Sequence, residues 1–368
     1  MGKWIKRILL ALVILAVLFA AVFCGFYFTR FQTMGSIRQV TANSDYNLYR
    51  MDVKYDYSLD RVIASGITDT QSMIDAVVKE SLPLLPVKIE VPSFGCSAFT
   101  MPTESGSVLM GRNYDFKNDT SAMLVYCTPR DGYASVAFAA LDNVSANQPD
   151  SLQKKMACLT APFICLDGMN EKGVSIAVLT LDSQPTVQNT GKPGIGTSLA
   201  IRLVLDKAAT AQEAVELLKG YDMIASNGRD YHFYITDASG DGVVVEYDCD
   251  REDRQLTVTS NRAVTNFFVM YKDQVLPNQH NGVYGHGRER YDSIEAILDA
   301  NAGAYTRDTA WQALKAASQL PKEGDVTSNT QWSLVYDDTL LTAEMALRRD
   351  WEHLIQYDFA SNTAVAEP

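Results

Sequence analysis

The sequence predicts an α+β protein in which antiparallel sheets are flanked by helices, carried behind an N-terminal transmembrane helix. Three observations lead there. Strand-like and helix-like runs come in blocks, not in βαβα alternation, which argues against a doubly wound sheet. Residues Ile8 to Phe28 are 21 consecutive residues without a charge, enough at about 1.5 Å per residue to cross a hydrocarbon core of about 30 Å. The chain has 368 residues, 47% hydrophobic and 21% charged, an average globular composition at a length that calls for one large domain with an appendage, or for two.

The apolar run is longer than the h-region of a signal peptide, and Phe23, Tyr27 and Phe28 crowd its far end where small residues would precede a cleavage site. It therefore reads as a retained anchor, residues 1–30, with the membrane crossed by residues 8–28. Lys3, Lys6 and Arg7 precede it and Arg30 alone follows closely, so the N-terminus is placed in the cytoplasm and the rest of the chain outside. Residues 31–45 read as a polar stalk, and residues 48–57 alternate as a strand. Thr70 to Leu85 carries a helical stripe at Met73, Ile74, Val77 and Leu82, ended by Pro83 and Pro86.

From Ser97 the pattern is strand-rich. SAFTM, SVLMGRNYDF, AMLVYCT and ASVAFAALD read as successive strands, and PFICLDGMNEKGVSIAVLTLD as a hairpin with Asn170–Gly173 at its tip. Ser198 to Ala208 is a helix, and Thr210-Ala-Gln-Glu213 is a capping box opening another through Leu218. YHFYITDA, VVVEYD, QLTVTS and AVTNFFVM resume the strands. Arg288–Leu298 and Thr309–Ser318 are helical, and WSLVYD with TAEMALRR form a last hairpin. Gly194-Ile-Gly196 and Gly285-His-Gly287 are incomplete glycine patterns that read as loops.

The formal charge is −12, from 32 Lys+Arg against 44 Asp+Glu. Removing residues 1–30 removes four cations and no anion, leaving 28 against 44, or −16. That balance argues against nucleic acid as a partner, since phosphate binding needs clustered positive charge, and it mildly disfavours anionic substrates. The four histidines have no zinc-site spacing, and no Walker loop or G-x-S-x-G elbow occurs. No metal or cofactor is expected. Outside the anchor lie five cysteines, Cys96, Cys127, Cys158, Cys165 and Cys249, so in an exported chain at least one has no intramolecular partner.

Cys96 follows Gly95 at the junction between a proline-punctuated segment and the first strand of the main block. A thiol needs a base beside it to be a nucleophile at neutral pH. No histidine is near in sequence, although one can fold close. The cysteine's own α-amine becomes another candidate if the chain is cut after Gly95. By itself, a cysteine at the start of a strand is a core residue.

Cys96 with Gly111-Arg112-Asn113-Tyr114-Asp115 downstream resembles the choloylglycine hydrolase family of N-terminal-nucleophile (Ntn) hydrolases, which includes bile salt hydrolases and penicillin V acylases. N-acylethanolamine acid amidase and the acyl-CoA:penicillin acyltransferase are relatives. Asp167–Gly173, the His232…Asp237–Gly240…Glu246 hairpin, Thr265-Asn266, Arg290 and Trp332–Tyr336 agree in order. The resemblance covers about Gly95 to Phe359. It implies an αββα four-layer sandwich over residues 96–368, a stalk and prosegment over residues 31–95, and cleavage of linear amide C–N bonds in small N-acyl substrates. It leaves the substrate and oligomeric state open.

Residue by residue, the resemblance makes Cys96 the nucleophile with its freed α-amine as base. Asp115 is expected to hold that amine, Arg112 to orient the thiol, Asn266 to donate to the oxyanion from its side chain and Thr180 from its backbone N–H, and Arg290 to support the site from outside. Plain structural roles stand beside these: Arg112 and Asp115 as an exposed pair at a strand end, Asn266 as a turn amide, Arg290 as a helix-surface charge. A spacing of three places Arg112 and Asp115 on opposite faces of a regular strand, so a shared site needs that strand to end or bulge near Asn113. Acyl transfer by the same thioester chemistry, and a catalytically silent tethered binding domain, are the competing functions.

Overall fold

The computed structural model describes residues 2–42, 46–83, 95–116, 119–226, 228–280, 282–323 and 329–366. A 33-residue helix, α1 (Lys3–Gly35), is followed by strands β1 (Arg38–Gln39) and β2 (Leu48–Asp52) and helices α2 (Leu59–Ala64) and α3 (Thr70–Ser81). Strands β3 (Gly95–Pro102), β4 (Val108–Asp115), β5 (Ala122–Cys127) and β6 (Ser135–Ala140) precede helix α4 (Leu152–Cys158). Next come β7 (Asp167–Asn170), β8 (Ser175–Leu181) and β9 (Gly194–Gly196), then α5 (Thr197–Lys207) and α6 (Ala211–Leu218). Strands β10 (Asp222–Ile224), β11 (Asp230–Thr236), β12 (Gly242–Tyr247), β13 (Leu256–Ser260) and β14 (Ala263–Val264) lead to α7 (Arg288–Ala300) and α8 (Arg307–Ala317). The last strands are β15 (Thr330–Asp337), β16 (Thr342–Leu347), β17 (Ile355–Asp358) and β18 (Thr363–Ala366).

One large sheet has the order β1-β2-β5-β6-β7-β8-β11-β12-β13 and a second β14-β3-β4-β15-β16-β17-β18, beside a two-stranded sheet of β10 and β9. Every residue of β4 and of β8 is buried, which requires both faces of these central strands to be covered. The contacts supply the cover. Helix α5 lies on β7 and β8 and α6 on β11 and β12, while α7 lies on β14 and β3 and α8 on β4 and β15; β3 meets β8 across the middle. The architecture is thus helix, sheet, sheet, helix.

Several elements depart from the periodicity. The stretch AVTNFFVM is a strand only at Ala263–Val264; a 3₁₀ turn takes Val269–Gln274, because Asn266 is drawn into side-chain bonds instead of a ladder. Gly194–Gly196 is not a loop: it is β9, parallel to β10, and runs straight into α5. A Cβ on Gly194 would collide with the Ile67 carbonyl, so the glycine permits that close approach. The capping box at Thr210 is half made. Thr210 accepts from the Glu213 N–H, but Glu213 returns to the N–H of Ala209, not of Thr210.

The polar stalk is not observed as such. Helix α1 continues to Gly35, and its last turns bury Tyr27, Arg30, Thr33 and Met34 against the domain. Arg30 donates to the carbonyls of Ser81 and Glu80, both at 2.7 Å, and so satisfies orphan acceptors at the C-terminal end of α3. Residues 38–39 and 48–52 then join the nine-stranded sheet, with β2 parallel to β5. Residues 84–94, which precede the Gly95–Cys96 bond, lie outside the described residues.

Between the sheets, Asp338 accepts from the hydroxyls of Ser175 and Thr236, the latter at 2.6 Å. Burial pushes its carboxyl up to about 7, against the two hydroxyl bonds and with help from Asp337 and Asp237. An unfolded Asp titrates near ~3.9, so the folded chain binds this proton more tightly. The associated stability is complete below about pH 4 and lost as pH rises through about 7. Asp338→Asn is therefore expected to melt at a higher temperature than the parent at pH 8, with the gap closing toward pH 4; thermal melts across that range measure it.

Candidate active site

The site starts from the pairing of β3 with β4. Cys96 lies opposite Tyr114, Ala98 opposite Arg112 and Gly95 opposite Asp115. Side chains alternate along a strand and paired residues share a face, so Cys96 and Arg112 point toward the other sheet while Asn113 and Asp115 point toward the helices. Arg112 reaches across the sheet interface to Asp167 of β7 (Nε–Oδ2 3.1 Å) and to the carbonyl of Val178 in β8 (3.2 Å). Both partners of this ion pair are fully buried. The Tyr336 hydroxyl donates to the other oxygen of Asp167 at 2.6 Å.

Asp115 is the last residue of β4. Its carboxylate accepts from Thr330 Oγ1 at 2.6 Å and Gln319 Nε2 at 2.8 Å, and lies 3.5 Å from Arg290 Nη1. The strand ends here, two residues past Asn113, and the irregularity is in its neighbour: the β15 register shifts between Thr330 and Trp332. That bulge sets Thr330 opposite Asp115 and lets Trp332 stack on Tyr114, with centroids 4.2 Å apart.

Two side chains grip the backbone of Cys96. Its N–H donates to Asn266 Oδ1 at 3.0 Å, and its carbonyl accepts from Arg290 Nη1 at 2.8 Å. Arg290 Nη2 also donates to Asn266 Oδ1 at 2.7 Å, so the three residues form one closed network. Arg290 is 6% exposed and is not a surface charge. It enters from the first turn of α7, whose N-cap Gly287 has φ +86°; a Cβ there would strike the Arg290 guanidinium. Asn266 Nδ2 donates to the Thr180 carbonyl at 2.8 Å. The bond at Thr180 is therefore made by its C=O, while its buried Oγ1 has no hydrogen-bond partner among the described residues.

Electrostatics favour the protonated thiol. Burial pushes Cys96 up to about 11; Arg112 works against this and Asp115 with it. Burial likewise raises the carboxyls of Asp115 and Asp167, offset by Arg290 and by Arg112 respectively. Burial also lifts Cys127 to about 11 and Cys158 to about 12, so a raised thiol alone does not mark the nucleophile. What separates Cys96 is that its own N–H and C=O are held by side chains. All six cysteines are unpaired.

All six expected site residues thus converge on one end of β3. Sequence reading did not assign Asp167, Gln319 or Thr330. Asp167 heads the motif Asp167–Gly173 and was visible as part of a pattern, whereas Gln319 and Thr330 flank residues 324–328 and carried no signal.

The family model for linear amide C–N hydrolases, choloylglycine hydrolase family, matches residues 96–283, beginning at Cys96. A penicillin V acylase from Pectobacterium atrosepticum is 32% identical over 126 residues, 31% of this chain and 30% of that protein, so the match spans about a third of the relative's length. The penicillin V acylase structure from Agrobacterium tumefaciens aligns with TM-score 0.53 at 20% identity, over 72% of this chain and 86% of that one. A mutant of the conjugated bile acid hydrolase from Clostridium perfringens aligns with TM-score 0.54 at 16% identity, over 74% and 96%. At those identities the structures speak for the fold, and the family match speaks for descent: this chain belongs to the choloylglycine hydrolase family of linear amide C–N hydrolases.

Proposed function

We propose that the chain is a membrane-anchored Ntn hydrolase that cleaves N-acyl amides, with Cys96 as nucleophile exposed by scission of the Gly95–Cys96 bond. The observation that carries this reading is the grip on the Cys96 backbone by Asn266 and Arg290. Scission turns that N–H into an α-amine with a pKa near ~8, already seated in a polar cradle and able to take the thiol proton. Arg112, by its charge, favours the thiolate. The thiolate attacks the acyl carbonyl, and the oxyanion is met by Asn266 Nδ2, which has a second N–H besides the one given to the Thr180 carbonyl, with the Thr180 backbone N–H as the second donor that the resemblance implies. The α-ammonium protonates the leaving amine, and water hydrolyses the thioester. Asp115, fixed by Thr330, Gln319 and Arg290, supplies the negative charge behind the ammonium.

The named relatives suggest phenoxyacyl penicillins and conjugated bile acids as the first substrates to offer. The test is hydrolysis of a panel of such N-acyl amides by the purified chain. On the best substrate, Asn266→Ala is expected to lower kcat about 10²–10³-fold, the usual cost of one oxyanion donor. A chain that hydrolyses none of the panel and fails to react at Cys96 with an acylating probe contradicts the proposal.

Helix α1 supports the anchoring. Its described apolar residues from Ile8 to Val22 are exposed, and it is the one helix among the described residues long and apolar enough to span a membrane. Deleting residues 2–25 is expected to release the enzyme from the membrane fraction with turnover intact. Deleting residues 2–36 also removes Arg30 and Met34 and is expected to lower the melting temperature; fractionation and thermal melts distinguish the two.

A further inference from the structure

Asn266 lies on an irregular segment, just past the two-residue strand β14, yet the chemistry asks it to hold a fixed orientation. What fixes it comes from the other sheet. His232 on β11 and Glu246 on β12 are both fully buried, and they meet at 3.1 Å through His232 Nδ1 and Glu246 Oε1. His232 Nε2 lies 2.9 Å from the carbonyl of Thr265, which can only accept, so Nε2 carries a proton and donates it. Glu246 accepts the N–H of Val269 on Oε1 at 2.7 Å and of Met270 on Oε2 at 3.0 Å. The pair therefore holds the chain one residue before Asn266 and again three and four residues after it. A further bond ties this clamp to Arg290: Thr265 Oγ1 donates to the carbonyl of Gly287, the N-cap of α7, at 2.9 Å.

We propose that the His232–Glu246 pair positions Asn266 for catalysis, acting through the Thr265 carbonyl and the N–H groups of Val269 and Met270. Burying two ionisable side chains costs desolvation that a packed apolar pair avoids, and among the described residues the hydrogen bonds of this pair outside itself go to the segment that carries Asn266. Neither side chain touches the reacting atoms. The inference rests on the role given to Asn266 above.

The test uses two conservative changes on the full-length, membrane-bound chain. Gln at 232 places its amide nitrogen where Nε2 stands and keeps the bond to Thr265; Asn places its amide nitrogen where Nδ1 stands and loses it. Expected for His232→Asn is a fall in kcat of about 10–10²-fold with KM within about twofold, whereas His232→Gln stays within about threefold of the parent. Combining His232→Asn with Asn266→Ala is expected to be no worse than Asn266→Ala alone, because both remove the same contribution. If His232→Asn does not fold, Glu246→Gln keeps the pair's shape, and about a tenfold fall in kcat at an unchanged KM is expected of it. Equal kcat for His232→Asn and His232→Gln, or additive losses with Asn266→Ala, overturns the positioning role. Full activity in Asn266→Ala removes the role of Asn266 itself, and the proposal with it, which separates the two failures.

Discussion

Cys96→Ala is expected to abolish turnover, with kcat falling on the order of 10⁴–10⁶-fold, the scale seen when a hydrolase loses its nucleophile. In the proposed processing the thiol also attacks the preceding peptide bond, so the same change is expected to leave the chain uncut. The other buried thiols lie in a different setting. Cys127, Cys158 and Cys165 are buried, and the raised pKa of each is set first by burial. Only Cys96 sits between the Asn266 amide, the Arg290 guanidinium and the Arg112 charge. Turnover and denaturing gels of the parent and variant read out both effects. Residual hydrolysis at a tenth of the parent rate would assign the reaction to another residue.

Arg112→Leu is expected to damage stability and chemistry together. Arg112 and Asp167 are a fully buried pair at 3.1 Å, and removing one partner leaves an uncompensated charge, which costs about 3–5 kcal/mol. The loss also strips the thiol of the cation that works against its burial. Denaturant unfolding measures the first effect and kcat the second. Adding Asp167→Asn to Arg112→Leu separates them: the uncompensated charge is gone, so much of the stability is expected back while turnover stays low. A double variant that regains both stability and turnover would make the pair purely structural.

The candidate site was legible because a short segment holds Cys96, Arg112 and Asp115 in a recognisable order. The local geometry was legible as well: alternation correctly placed Arg112 and Asp115 on opposite faces, and the reconciling bulge turned out to lie in β15, a strand more than 200 residues away in sequence. Strand blocks predicted the large sheets, since alternation and burial obey the same period. What periodicity does not carry is a bond between distant residues. The hydrogen bond from Cys96 to Asn266 spans 170 positions, and the side-chain demands on Asn266 broke the strand that its apolar neighbours suggested. Residues 31–45 read as a polar stalk, yet α1 runs on to Gly35, and Arg30 and Thr33 lie in its last turns. Both are buried, Arg30 by capping α3 and Thr33 by bonding the N–H of Lys54 at 2.8 Å. The strands β17 and β18 are short, and the exposed, half-buried alternation of β18 offers little apolar signal.

The proposed mechanism requires Cys96 to work as a newly exposed N-terminus. Intact-mass and N-terminal analysis of the active, purified protein tests it most directly. The expected result is a chain of 273 residues beginning at Cys96 and ending at Pro368, accompanied by the fragment that ends at Gly95 and held to it by the β2–β5 pairing and the buried end of α1. A single uncut chain of 368 residues with full amidase activity would contradict it.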